Sequence, residues 1–368
     1  MNRRWFWGCL AVITGGCASA SPVSTETAAT SPASVQKSVT VAEPLPPTGM
    51  LLPRTALPTR YTVELTLDNA ETKVRGDIAI DLKIAEPTRV VWLHGRDLVV
   101  REAHFEVSGK SIEARTTPDT KGERIGFFTA TAENLPAGAA RLTVRFEATV
   151  LENADRGIFR EKEGNDFYIF SQFENTDARS AFPCFDEPNV KTPWDVTLDV
   201  PATQTALGNT HVVSETTPQN GRKKVKFAET QPLPAYLVAF AVGPFDLVDG
   251  GKAGKAKVPV RIATPRGAGA EAAYAAKITA DLIGVLEEYF GIPFPYDKLD
   301  VVPIPTLITW GAMENAGLIT FFREGVLARA GEDSETFRRR YADIMAHELA
   351  HQWFGDLVTM QWWDDIWL

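Results

Sequence analysis

Close to its C-terminus the chain reads His347-Glu348-Leu349-Ala350-His351. On an α-helix four residues turn through about 400°, so the two histidines project from one face, one turn apart. Two neutral imidazoles at that spacing can bind one zinc ion. Glu348 lies about 60° round from His351, beside such a metal rather than on it. There it can take a proton from a metal-bound water, and the hydroxide attacks a carbonyl. The plain alternative is a surface helix with two unrelated histidines. Against it stands the spacing of Phe337, Tyr341, Ile344 and Met345, which predicts a buried helix. Polar groups on a buried helix need a partner, and a metal is the simplest.

Two other stretches carry charge in unusual company. Ser171-Gln172-Phe173-Glu174-Asn175-Thr176-Asp177-Ala178-Arg179, with Ala181 to Pro188 after it, mixes charges, aromatics and prolines in a way no regular strand does. On residues alone it is either a turn held by Asp, Arg and Pro or a functional segment. Between Gly311 and Thr320, Glu314 is the single acid among small and apolar residues. A lone Glu at a strand edge is ordinarily solvated, while Gly311 permits a close backbone approach to a ligand.

His347 to Asp356 continues as His-Glu-Leu-Ala-His-Gln-Trp-Phe-Gly-Asp, and the chain closes on Trp362-Trp363-Asp364-Asp365-Ile366-Trp367-Leu368. Upstream stands Gly311-Ala312-Met313-Glu314-Asn315. In this order and spacing the runs resemble the signatures of the M1 zinc aminopeptidases, the gluzincins, over about residues 50 to 368. The resemblance implies a multidomain β then α/β fold. An N-terminal antiparallel β-saddle domain is followed by a thermolysin-like catalytic domain, incomplete at its C-terminus. It also implies one zinc per chain on His347 and His351, with Glu348 as general base. Gln172 would line the first side-chain pocket, and Glu174 and Glu314 would hold a substrate's α-amine. Gly311, Ala312 and Met313 would bond the peptide backbone along a strand edge, with Asn315 in the same motif and residues 177 to 188 as scaffold. Ala316 departs from the Trp that many members carry. The implied activity is removal of N-terminal residues from peptides with a free N-terminus, through attack by metal-activated water. The family's third ligand, a Glu, would fall two positions beyond Leu368. The chain as given is therefore expected to bind zinc weakly and to be inactive. The same site permits three other readings: an epoxide hydrolase of the leukotriene hydrolase kind, a non-catalytic relative that binds through its β domain, and a zinc endopeptidase. An export-type N-terminus argues against the first, the intact His347, Glu348 and His351 against the second, and Glu314 against the third.

These residues need elements to position them. Tyr61, Val63, Leu65 and Leu67 alternate with polar residues, as do Ile78, Ile80 and Leu82, then Val90, Trp92 and His94. Leu142, Val144 and Phe146, and Val196, Leu198 and Val200, continue the period of two that marks strands. Tyr236 to Val242 is apolar enough for a strand buried on both faces. Residues 48–248 thus read as one all-β domain, with His94 a packing residue. Residues 249–368 open on a strand, Val258 to Ala263. A helix follows over about 270 to 290, carried by Ala272, Ala276, Leu282, Ile283, Leu286 and Phe290 and ended by Gly291, Pro293 and Pro295. Asp300 to Ile304 is a further strand.

The remaining features bound the class. At 368 residues, 44% hydrophobic and with a net charge of −9, the chain suits an acidic globular protein of about two domains. It has no basic footprint for nucleic acid. Residues 1–20 carry Arg3 and Arg4 before a short apolar run, Trp5 to Ile13, the order of a signal peptide. Thr14-Gly15-Gly16-Cys17 resembles a bacterial lipobox with Cys17 as the lipidated residue, and Ala18-Ser19-Ala20 also fits a cleavage site. Residues 21–47, rich in Ser, Thr, Ala and Pro, read as a disordered tether. The localisation implied is an exported, lipid-anchored or periplasmic or secreted protein, touching a membrane only through that lipid. With Cys9 in the signal and Cys17 lipidated, Cys184 is left as a small buried residue.

Overall fold

The computed structural model describes residues 42–131, 133–306 and 311–366. The expected export segment with Cys17, and the expected tether as far as residue 41, lie outside the described residues.

Strands form where the period of two allows one face to be buried. Lys73–Ile84 alternates exposed and buried residues along its length, with Val74, Ile78, Ile80 and Leu82 turned inward. Ten strands between Ala56 and Phe227 make one large sheet among the described residues. The expectation of an antiparallel domain needs one correction there. Ala56–Thr66 pairs antiparallel with Lys73–Ile84 on one side but parallel with Trp194–Pro201 on the other. Trp194–Pro201 is reached through the long excursion over residues 173 to 193, and only a long crossover can bring a strand back parallel. Tyr61 stands opposite Trp194 in this pair, and their rings stack 3.9 Å apart.

A second sheet of five strands contains Asp166–Gln172 beside Phe240–Gly243. The strand expected over Tyr236 to Val242 is shorter than its apolar run. Pro234 opens a single 3-10 turn at Ala235–Leu237, and only Phe240–Gly243, buried throughout, joins the sheet. The third sheet orders Asp246–Ala253, Val258–Thr264, Leu299–Ile304, Leu318–Phe322 and Ala312–Met313 side by side. Its central pairs run parallel. The division expected after residue 248 falls inside Asp246–Ala253, because the preceding apolar run already ends at Gly243-Pro244.

Three helices complete the described chain: α1 (Ala273–Phe290), α2 (Arg323–Val326) and α3 (Glu335–His351). Gly291 ends α1 at φ +70°, a left-handed conformation that glycine adopts without strain. Ser334 opens α3, its Oγ accepting from the Phe337 amide at 3.2 Å. Tyr341, Met345 and Leu349 of α3 are buried in the catalytic core, and Tyr341 Oη meets Thr279 Oγ1 of α1 at 2.6 Å. The buried helix predicted from the apolar spacing is two-sided: His347 is exposed and His351 half-buried on the open side. One further core, built from Phe159, Tyr168, Phe170, Ala241, Val302 and Leu318 among others, joins the second sheet to the third.

Candidate active site

His347 and His351 occupy the last turns of α3, and their Nε2 atoms stand 3.0 Å apart. Two ligands at ~2.0–2.1 Å on a tetrahedral zinc would be separated by about 3.3 Å. The ring of His351 is held by its other nitrogen, Nδ1, 2.9 Å from the Phe354 carbonyl. A carbonyl can only accept, so Nδ1 carries the proton and Nε2 presents a lone pair, the tautomer a metal ligand needs. Gly355 makes room for this contact: its φ is +128°, and a Cβ there would sit 3.3 Å from His351 Nδ1. Burial lowers the pKa of His347, with the neighbouring His351 acting the same way.

Glu348, about 60° round the helix from His351, is 5% exposed, with Oε2 lacking any partner. Burial, then the charges of Glu314 and Glu174, push its pKa up to about 9. Glu174 is pushed up to about 8 by burial and by Glu314. The structure thus brings Glu174, from the segment after the second sheet, and Glu314, from the turn after Ala312–Met313, together with Glu348 on α3. Asp356 joins them, fully buried with both carboxylate oxygens unpartnered. Burial, chiefly, and the charges of Glu314, Glu348 and Glu174 raise it well above the carboxylate range, while Lys191 opposes them. Among the described residues no group of three His, Cys, Asp or Glu side chains stands close enough to hold a metal, so the histidines form a two-donor set.

The remaining expected residues fall at the margins of this cluster. Among the described residues, Ala312–Met313 is the outermost strand of the third sheet, paired only through Leu318–Phe322. Met313 is buried in the core of the β domain and Ala312 packs on the catalytic core. Their side chains are thus spent on packing, and the strand edge is what remains for a ligand. Gly311 is exposed, and Asn315 is fully buried with neither side-chain atom bonded. Gln172 closes Asp166–Gln172 opposite Gly157 and is buried, its Nε2 without a partner. A cleft of about 510 Å³ opens beside Glu174, lined also by Asp155, Arg156, Asn175, Thr176, Asp177 and Trp363. Beyond Glu174, the 173–188 segment is held as scaffold. Arg179 Nε reaches Asp186 at 2.9 Å, Arg96 pairs with Asp177, and the Asp186 amide donates to His94 Nδ1 at 3.1 Å.

Sequence reasoning assigned no role to Gln352, Asp356, Arg156 or Trp363. The first two lie inside the run that begins at His347, Gln352 directly after the second histidine and Asp356 five positions beyond it.

Comparison with known proteins covers most of this architecture. Residues 57–237 match the family model of the peptidase M1 N-terminal domain, and residues 274–368 that of the peptidase family M1 domain. The puromycin-sensitive aminopeptidase of Caenorhabditis elegans is 37% identical over 327 residues, covering 86% of this chain and 34% of the relative. Aminopeptidase M1-D of Oryza sativa subsp. japonica is 36% identical over 323 residues, covering 86% and 36%. Glutamyl aminopeptidase of Rattus norvegicus is 33% identical over 326 residues, covering 86% and 34%. The chain spans about a third of the length of these relatives.

Proposed function

The chain belongs to peptidase family M1, and from that premise we propose that its site serves a zinc-dependent aminopeptidase removing N-terminal residues from peptides. The observation that carries this reading is the convergence of His347 and His351 Nε2 at 3.0 Å, with the unpartnered carboxylate of Glu348 one residue from the first histidine. The donor chemistry and spacing of this pair fit zinc, with a further donor from outside the described residues. When bound, zinc would supply a Lewis acid and an acidified water.

The protein's own groups do the rest. Glu348, which the positive charge of a bound zinc would return to its carboxylate form, takes the proton from the attacking water and passes it to the leaving amine nitrogen. Glu174, buried beside the cleft and acted on by the charge of Glu314, binds the α-ammonium together with Glu314. Their mutual repulsion is relieved by that cation. An internal peptide bond offers no such cation, which is why the acid pair favours exopeptidase action. The free edge of Ala312–Met313 orients the substrate backbone. Gln172 and the cleft around Arg156 and Trp363 receive side chains. We also propose export through residues 1–20 with lipidation at Cys17, supported by the sequence order of charge, apolar run and small residues. Radiolabelled palmitate in the wild type and not in Cys17→Ser would bear it out.

Glu348→Gln in the native gene product tests the catalytic reading. Zinc content should be unchanged and kcat should fall by ~10²–10⁴-fold. Loss of zinc, or turnover near the wild-type rate, would remove Glu348 from the role.

A further inference from the structure

One buried side chain touches both halves of this site. Gln352, the residue after the second histidine and the C-cap of α3, has 0% exposure. Its amide bridges the turn that follows Ala312–Met313. Nε2 donates to the Glu314 carbonyl at 2.6 Å, and Oε1 accepts from the Gly317 amide at 3.0 Å. A carboxamide carries a donor and an acceptor at a fixed separation without charge, which is what a turn presenting one carbonyl and one amide requires.

The turn is held from other sides as well. Lys298 Nζ donates to the Gly317 carbonyl at 2.8 Å, and Asn209 Nδ2 to the Ala316 carbonyl at 2.9 Å. Gly317 has φ +67°, and a Cβ there would stand 2.5 Å from the Asn209 carbonyl oxygen, so the chain passes too close for any other residue. Lys298 and Asn209 tie the turn to the third sheet and to the β domain. Gln352 ties it to the helix that bears the histidine pair.

We propose that Gln352 is a positioning residue that locks the Glu314 turn to α3, so that one side chain sets the separation between the metal-binding histidines and the carboxylate receiving the α-ammonium. This rests on the reading of Glu314 as an amine anchor. Without the bridge Glu314 keeps its charge but loses its fixed place, so recognition of a free amine weakens while the histidines are undisturbed.

The test uses L-leucinol, which carries an α-ammonium and no bond to cleave, with N-acetyl-L-leucinol as its blocked counterpart. Both are titrated calorimetrically into the full chain and into Gln352→Met, which keeps the volume and removes both hydrogen bonds. Leucinol should bind at least about tenfold more weakly to the variant, acetyl-leucinol should not change, and zinc titration should not change. Amide exchange at Gly317 should accelerate in the same variant. A general loosening of the fold would move zinc and both alcohols together, and would overturn the proposal. Glu314→Gln separates the two claims. If it loses leucinol binding while Gln352→Met keeps it, the amine anchor stands and the positioning role falls. If Glu314→Gln keeps full affinity, the amine anchor falls and the proposal with it. Should Gln352→Met fail to fold, exchange in the wild type decides. Gly317 protected as strongly as Leu318, whose amide is bonded to the Asn315 carbonyl at 2.8 Å, supports the bridge. Exchange at the rate of an open loop overturns it.

Discussion

His351 is fixed through the nitrogen that does not face His347: Nδ1 bonds the Phe354 carbonyl across a turn that only Gly355 makes comfortably. Partners of this kind typically contribute 10–100-fold to metal affinity. Gly355→Ala should therefore weaken zinc binding by about that factor, measured by calorimetric titration, with His347→Ala as the variant that abolishes it. An unchanged affinity in Gly355→Ala would mean that His351 needs no such support. Glu174 makes a second expectation. With its pKa near 8 it holds a proton at pH 7, and an arriving ammonium favours the ionised form. Binding of an amine at pH 7 should thus release close to one proton, and affinity should rise with pH up to about 8. Calorimetry in buffers of different ionisation heat reads the proton directly, and proton uptake would contradict the assignment. His347, Glu348 and His351 were legible in the sequence because helical geometry alone fixes their relation. Gln352 and Asp356 were not, because what they face, Glu314 to Gly317 and Lys191, lies far away along the chain.

At the scale of elements, α3 is positioned by its buried face and its cap. Ser334→Ala removes the bond from the Phe337 amide and should cost about 1 kcal/mol by urea denaturation, without altering zinc affinity, since the cap lies at the opposite end from the histidines. A loss of zinc binding in that variant would show that the helix frays as a unit. Five strands of the large sheet, those around Tyr61, Ile78, Val90, Leu142 and Val196, and the span of α1 were legible, most of them because one face is buried with the period of the element's own geometry. The parallel pairing of Ala56–Thr66 with Trp194–Pro201 was not, since pairing depends on the route between the strands and not on their residues. The 3-10 turn at Ala235–Leu237 was hidden for a related reason. An apolar run buried on all sides carries no periodicity to distinguish turn from strand. The segment from 173 to 188, ambiguous in the sequence, is held by partners far away along the chain, Arg96 and His94 among them.

In the molecule as a whole, polar links across the sheets hold the halves of the site together. Lys298 spans the Gly208 and Gly317 carbonyls, Lys191 Nζ reaches the carbonyls of Asp356 and Leu357 at 2.7 and 3.0 Å, and Arg323 joins Glu163 to Glu271. His94 connects this scaffold to pH. Burial, and the charges of Arg179, Arg124 and Arg54, hold its pKa down to about 2, against 6.5 for the unfolded chain. Between these values the unfolded chain binds a proton that the folded chain refuses. Stability is therefore full above pH 6.5 and is lost as the pH falls below it, at about 1.4 kcal/mol per pH unit. His94→Gln should make the fall between pH 7 and pH 5 smaller by about 2 kcal/mol in urea titrations, and an equal fall in both proteins would contradict this. The central claim joins the histidine pair to the acid pair in a single activity. It is tested most directly by the rates at which the native gene product cleaves alanyl and N-acetyl-alanyl anilides, before chelation, after it, and after zinc is restored. The expected result is cleavage of the free-amine substrate alone, abolished by the chelator and recovered with zinc. Comparable cleavage of the acetylated substrate, or a rate indifferent to chelation, would contradict it.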